Sequence, residues 1–465
     1  MFNLMKTKST IIFMVTVILG LSLLGCTKFI EVDLPVSQLT GPAVYQDQTT
    51  ATAALSDIYA RLRNNGVLTG NPDGTSMVLG LYTDELAYYG TGTSPLESFF
   101  THGLLPSNTY ASSLWSNSYG QVYAANALLE GLENSPEIPK SATHQLQGEA
   151  LFIRAVLHFY LVNLYGDIPF ITTTDYQGNA QVQRLPASEV MAHIIGDLEA
   201  ADQKLTYGYP AQNRVRANKG AVRALLARAH LYLEQWSLAD MYASDIIGQT
   251  ALYAVEDDLD AAFLKGSIST IWQLHPGVSG ANTLQGKIFS FSSGPPAIAA
   301  LTQDLVSSFG ENDLRGQHWV KSVTQGVQVW YHPYKYKLTE NTGVSQEYSI
   351  VLRLEEQILI RAEARANLGD SDGAKQDLNT IRNRAGLENT TATTTMQLLA
   401  AIQQERKLEL FTEFGHRWFD LKRNGMAEAV LSPIKPAWEP KNLLFPLPES
   451  ELLLNPNLEP QNTGY

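Results

Sequence analysis

Glu405, Glu409, Glu413 and His416 are the most closely spaced side chains in this sequence that could do chemistry. Two carboxyls, or a carboxyl beside an imidazole, can run acid/base catalysis. A glycosidase, for instance, uses one carboxyl to donate a proton and a second to attack the sugar or activate water, and Glu405 with Glu409 could form such a pair. On a helix the three glutamates, four apart, share one stripe, and Leu408, Phe411 and Phe414 form an apolar stripe beside it. The same stretch also carries Arg406, Lys407, Arg417, Lys422 and Arg423. Carboxylates with cations so near ordinarily tie helices together in the charged state, and that structural role is the expectation for residues 401–425. Gly415 reads as a left-handed cap closing the first helix, and a second short helix runs from His416 to Gly425.

Other catalytic chemistry has little to stand on. GxSxG, GxGxxG, HExxH and the Walker A pattern are absent, and the nine histidines include no pair at i, i+4. The acidic run Glu256-Asp257-Asp258-Leu259-Asp260 lacks the glycine and spacing of an EF-hand. No metal and no cofactor is expected. Binding is better provided for. Sugars present C–H faces that stack on aromatic rings and hydroxyls that need polar groups at the edge. Loops 70–106 and 265–347 hold both kinds of side chain. Tyr88, Tyr89, Trp272, Trp319, Trp330 and Tyr331 are the expected stackers, with Asp84, Asn282 and Arg315 at the rim.

Helical patterns carry these loops. A first helix is expected at Ala51–Arg63, capped within Asp47–Thr50, followed by Tyr110–Leu132, His144–Tyr165 and Ser188–Leu205. Asn218–Leu233 with Leu238–Ile247, and Leu352–Leu368 with Gly373–Arg384, form two helix pairs across short turns. In each an alanine precedes another by ten residues: Ala229 and Ala239, then Ala364 and Ala374. Small residues recurring where helices cross closely point to tetratricopeptide-like hairpins. The fold class is therefore mainly α, a helical-hairpin scaffold with a loop-rich, partly β face in which Val327–Tyr331 is strand-like. Leu431–Tyr465 is Pro-rich and reads as an extended tail laid over the helices, fixed by Leu443, Leu444 and Phe445.

The chain has 465 residues and a formal charge of −13, which disfavours nucleic acid as a partner. Its one cysteine, Cys26, follows a basic start (Lys6, Lys8) and the apolar run Ile11–Leu24. That run is too short to span a bilayer and has the length of a signal h-region. Residues 1–25 read as a lipoprotein signal peptide and residues 26–46 as a tether, with Cys26 lipidated and several acyl chains holding the protein at a membrane.

Several blocks resemble one family. Gly148-Glu149-Ala150-Leu151-Phe152-Ile153-Arg154-Ala155, continuing to Leu164-Tyr165-Gly166-Asp167-Ile168-Pro169, is similar to a signature of the SusD/RagB outer-membrane lipoproteins. Residues 415–425, GHRWFDLKRNG, are similar to another. So are Arg216–Ala221 with Leu226–Ala229, Arg353–Glu356 through Arg361–Ala364, and Phe445-Pro446-Leu447-Pro448 with Asn455–Leu458 and Gln461-Asn462. Tyr348-Ser349-Ile350 and Leu447 depart from the family pattern. The resemblance implies a single SusD-like domain over 47–465, with helical parts at 47–249 and 348–430, a variable part at 250–347 and a tail at 431–465. It also implies a non-enzymatic, cell-surface, outer-membrane lipoprotein that captures oligosaccharides, or in some members peptides, and passes them to a TonB-dependent barrel.

Overall fold

The computed structural model describes residues 44–45, 47–133 and 135–465; the signal segment, Cys26 and most of the tether lie outside the described residues. Helix α1 (Gln48–Asn64) starts at Asp47, whose carboxylate accepts the amides of Thr49 and Thr50 at 2.7 and 3.1 Å. These are donors that a helix start leaves without intrahelical partners. Helix α2 (Thr75–Tyr82) is buried along its whole length, which fits the almost uniformly apolar run from Met77 to Tyr82. Next come α3 (Thr109–Glu133), α4 (Lys140–Tyr165), α5 (Ala187–Lys204), α6 (Lys219–Tyr232) and α7 (Trp236–Ile247). The C-terminal part adds α8 (Leu354–Leu368), α9 (Ser371–Arg384), α10 (Thr395–Glu409) and α11 (His416–Arg423).

Successive long helices pack on one another: α3 on α4, α4 on α5, α6 on α7, α7 on α8 and α8 on α9. The two alanine-marked pairs are the hairpins α6/α7 and α8/α9. Ala227, Leu231, Ala239, Ala243, Ile360 and Ala364 form a core cluster of their own, so the hairpins meet through their smallest side chains. Such residues let helix axes approach closely, as a stacked helical-repeat scaffold requires.

Among the described residues six short strands interrupt the helices: β1 (Leu86–Tyr88), β2 (Thr270–Leu274), β3 (Ala299–Leu301), β4 (Val320–Gln325), β5 (Gln328–Pro333) and β6 (Ser349–Arg353). They form three antiparallel pairs, β1 with β3, β2 with β6 and β4 with β5. The β4–β5 hairpin turns at Gly326, whose φ of 64° suits a two-residue connection. Pairing with β2 keeps Ser349–Arg353 extended, so α8 begins at Leu354 and not at Leu352.

The expected helix through residue 414 also ends sooner. Helix α10 stops at Glu409, and Thr412 and Phe414 adopt positive φ in the turn that follows. Distant side chains hold that turn: Thr412 N donates to Glu85 Oε1 at 3.1 Å and Phe414 N to Ser76 Oγ at 3.0 Å. Gly415, at φ 83°, is therefore the residue before α11 and not the cap of α10. The tail is stapled down by Phe445, fully buried, and by Asn462, whose Nδ2 donates to the carbonyls of Tyr165 and Phe445 at 2.8 Å. Leu443, by contrast, stays exposed. Residues 45–465 make one compact unit. Among the described residues no helix is long and apolar enough to cross a membrane.

Candidate functional site

Buried helix α2 delivers the segment Thr83–Glu85 into the core, where Asp84 meets α11. Arg417 donates to both Asp84 oxygens at 2.8 and 2.9 Å, and Lys407 Nζ lies 3.2 Å away. Burial alone would raise this carboxyl, but the hydrogen-bonded Arg417 and then Lys407 outweigh it and hold Asp84 at about 2. Next to it, Glu85 makes no ion pair among the described residues. Burial, and then the Asp84 charge, push it up to about 8.

After Glu85 the chain reaches the surface. Tyr88 faces Ala299 across the β1–β3 ladder, and Tyr89 N extends the pairing by donating to Ile298 O at 2.8 Å. The Tyr88 ring folds over Gly90, where a Cβ would stand 2.2 Å from the Tyr88 hydroxyl, so a larger residue there would displace the ring. Phe100 lies 6.4 Å from Tyr88, and Lys435 Nζ sits 4.0 Å over the Phe100 ring. Burial, and then the nearby Asp73 and Tyr88, push up the phenol of Tyr110 at the start of α3. Ser113 Oγ donates to Asp73 Oδ2 at 3.1 Å, and Asn117 Nδ2 donates to Ser113 Oγ at 2.8 Å. The outcome is a shelf of two partly exposed tyrosines, Tyr88 and Tyr110, edged by a carboxylate, a hydroxyl and an amide, with the exposed Tyr89 next along the strand. Sequence reasoning missed Asp73 and Tyr110; the spacing of Tyr110, Ser113 and Asn117 along one helix face was the available signal. Strand β5, carrying the half-buried Tyr331, runs beside β3.

The other expected contact residues lie elsewhere. Trp272 is fully buried, edge-on to Phe152 at 5.0 Å and Tyr59 at 6.3 Å. Trp319 is also fully buried and donates its Nε1 to Leu259 O at 2.9 Å. Trp330 lies against Gly294, where a Cβ would come within 2.1 Å of the indole. Arg315 is enclosed by Asp313, Glu405 and Glu409. Asn282 staples a loop, donating to Glu340 O and accepting from the amides of Gln346 and Glu347. A ring with no exposed face cannot stack on a ligand, so the buried Trp272, Trp319 and Trp330, together with the buried, ion-paired Arg315 and Asp84, are corrected from contact residues to supports, whereas Asn282 stays partly exposed. The reason is physical: residues 250–347 must build a core of their own, and the largest apolar side chains fill it.

The carboxylates of the 401–425 stretch are equally enclosed. Burial raises Glu405, whereas Arg384, Arg353 and Arg315 overcome burial and hold Glu409 well below the usual range. Paired carboxyls pushed apart in this way resemble an acid and a nucleophile. Both, however, are buried among guanidinium groups and offer a glycosidic oxygen no approach. Among the described residues no group of three or more His, Cys, Asp or Glu could hold a metal ion.

The scaffold is shared with known proteins. Residues 90–233 match a SusD-like family model described as starch-binding and associating with the outer membrane, and residues 316–465 match the SusD family model. SusD-like protein P25 of Formosa agariphila is 24% identical over 99% of this chain and 100% of its own length. Among solved structures, a SusD superfamily protein of Bacteroides vulgatus superposes with a TM-score of 0.80 at 22% identity, covering 90% of this chain and all of that one. A laminarin-binding SusD-like protein superposes with a TM-score of 0.77 at 24% identity, with the same coverage. The two family matches span most of the hairpin scaffold, the buried 415–423 block and the stapled tail, and on that footing the chain belongs to the SusD/RagB family.

Proposed function

We propose that this protein is a non-catalytic, cell-surface lipoprotein that captures oligosaccharides and hands them to a TonB-dependent outer-membrane transporter. In this reading residues 1–25 are a removed signal peptide, Cys26 carries the lipid, and residues 26–46 tether the folded part to the membrane. The observation that carries the reading is the tyrosine shelf: Tyr88 and Tyr110 offer ring faces for a pyranose, and Asp73, Ser113 and Asn117 offer edges for its hydroxyls, while the exposed Tyr89 beside Tyr88 would add a further ring. Tyr331 on β5 would extend the contact. A structural neighbour named for laminarin binding supports the ligand class.

Calorimetry against a panel of neutral glucans and peptides tests this. The native protein is expected to bind at least one saccharide. Tyr88→Ala combined with Tyr89→Ala should weaken that binding about tenfold or more, the equivalent of about 1.4 kcal/mol, with the melting temperature preserved. Binding to peptides alone, or saccharide binding untouched by the double variant, would overturn it.

A further inference from the structure

The loop-rich part holds a second feature that the tyrosine shelf does not use. A cleft of about 440 Å³ opens where the short helix Leu284–Phe289 runs out against the β4–β5 hairpin. In the hairpin register Lys321 pairs with His332, so both side chains leave the same face of the ladder. Phe291 covers His332 at 4.9 Å. Lys321 Nζ lies 4.6 Å from the Tyr334 ring, and Lys337 Nζ lies 5.3 Å from it. That ring is occupied by cations and is not free to stack on a sugar.

The charge balance of the cleft runs against that of the protein. Lys287, Lys321 and Lys337 line it, with Glu340 as its one carboxylate, in a chain of net charge −13. Asp260 neutralises Lys337. Lys287 and Lys321 are exposed and make no ion pair among the described residues. Burial, and then the charge of Lys321, push His332 down, so the imidazole adds no positive charge at neutral pH. Lys287 and Lys321, neither held in an ion pair and together outweighing Glu340, stand beside the rings of Phe291 and Tyr334 and form a receptor for an oxyanion carried on a compact ring.

We propose that this cleft binds an acidic saccharide, a sugar bearing a carboxylate or a sulfate, with Lys287 and Lys321 pairing with the anion. The proposal rests on the reading of the protein as a saccharide binder and narrows the class of saccharide.

The test is titration of the full-length mature protein with polygalacturonate, dextran sulfate and neutral dextran at low and high salt. A carboxylated or a sulfated polymer is expected to bind at least tenfold more tightly than dextran at low salt, and the arm that does so identifies the anion. High salt should erode that preference. Lys287→Gln combined with Lys321→Gln should abolish it while leaving melting temperature and neutral-glucan binding unchanged. A control pair outside the cleft, Lys140→Gln with Lys375→Gln, should leave it intact. Neutral glucans bound with no acidic preference, or equal losses in the two double variants, would overturn this proposal alone. Failure to bind any saccharide would overturn the tyrosine-shelf reading as well.

Discussion

Replacing Glu409 with leucine is expected to lower the unfolding free energy by about 3–5 kcal/mol, the usual cost of removing one partner from a buried ion cluster. Glu409 has no exposed surface, and its carboxylate accepts from Arg353, Arg384 and Arg315 at 2.6, 2.5 and 3.0 Å. Lys335 Nζ donates to the Glu409 carbonyl at 2.8 Å, and Arg353 also grips Glu413 at 2.9 Å. An apolar side chain would leave three guanidinium groups packed together with less negative charge between them. The effect also has a pH signature. Because the arginines hold the folded-state carboxyl well below its unfolded value, the stabilisation is present above the ordinary glutamate range and is lost as pH falls through the lower, folded-state value. Denaturant unfolding at neutral and acidic pH measures both effects. A change within about 1 kcal/mol, the scale of an exposed ion pair, would show that the cluster does not hold these elements together.

Trp418→Ala should be comparably damaging, at about 3–5 kcal/mol, through cavity formation. Trp418 is fully buried, edge-on to Tyr82 of α2 at 4.9 Å and within 6.4 Å of Trp438 near the tail. Its neighbours extend the same role. Arg417 fixes Asp84, and Asp420 accepts from Arg406 and Arg423 at 2.8 and 2.9 Å. The 415–423 block thus joins the α2 segment, α10 and the tail. Thermal melts should show a large drop, while protein folded at low temperature keeps its saccharide preference. Lost binding at unchanged stability would contradict this assignment.

The helical scaffold was legible because helices announce themselves locally. The expected Asn218–Leu233 became Lys219–Tyr232, and the expected Tyr110–Leu132 became Thr109–Glu133, since periodicity and capping residues lie within the segment itself. Of the alanines spaced by ten, Ala239 and Ala364 share the cluster between the hairpins, while Ala229 and Ala374 belong to the main core. The turn after Glu409 was not legible: it depends on Ser76 and Glu85, more than 300 residues away in sequence. Leu352 and Arg353, expected at the start of a helix, instead end strand β6, because pairing with β2 outweighs local propensity. The candidate site was the least legible part. Tyr88 and Trp319 look alike in sequence, yet the first reaches the surface and the second is sealed by Phe263, Lys335 and Arg384. Only the packing of residues far apart in the chain separates a contact residue from a core residue here.

The central claim is a division of labour, with ligand held by the loop face and the charged 405–423 block holding the fold. Hydrogen–deuterium exchange of the mature protein with and without a bound saccharide tests it most directly. Ligand-dependent protection is expected in residues 86–110 and 287–337, with residues 395–423 unchanged. Protection centred on 395–423, or turnover of the saccharide during the measurement, would contradict it.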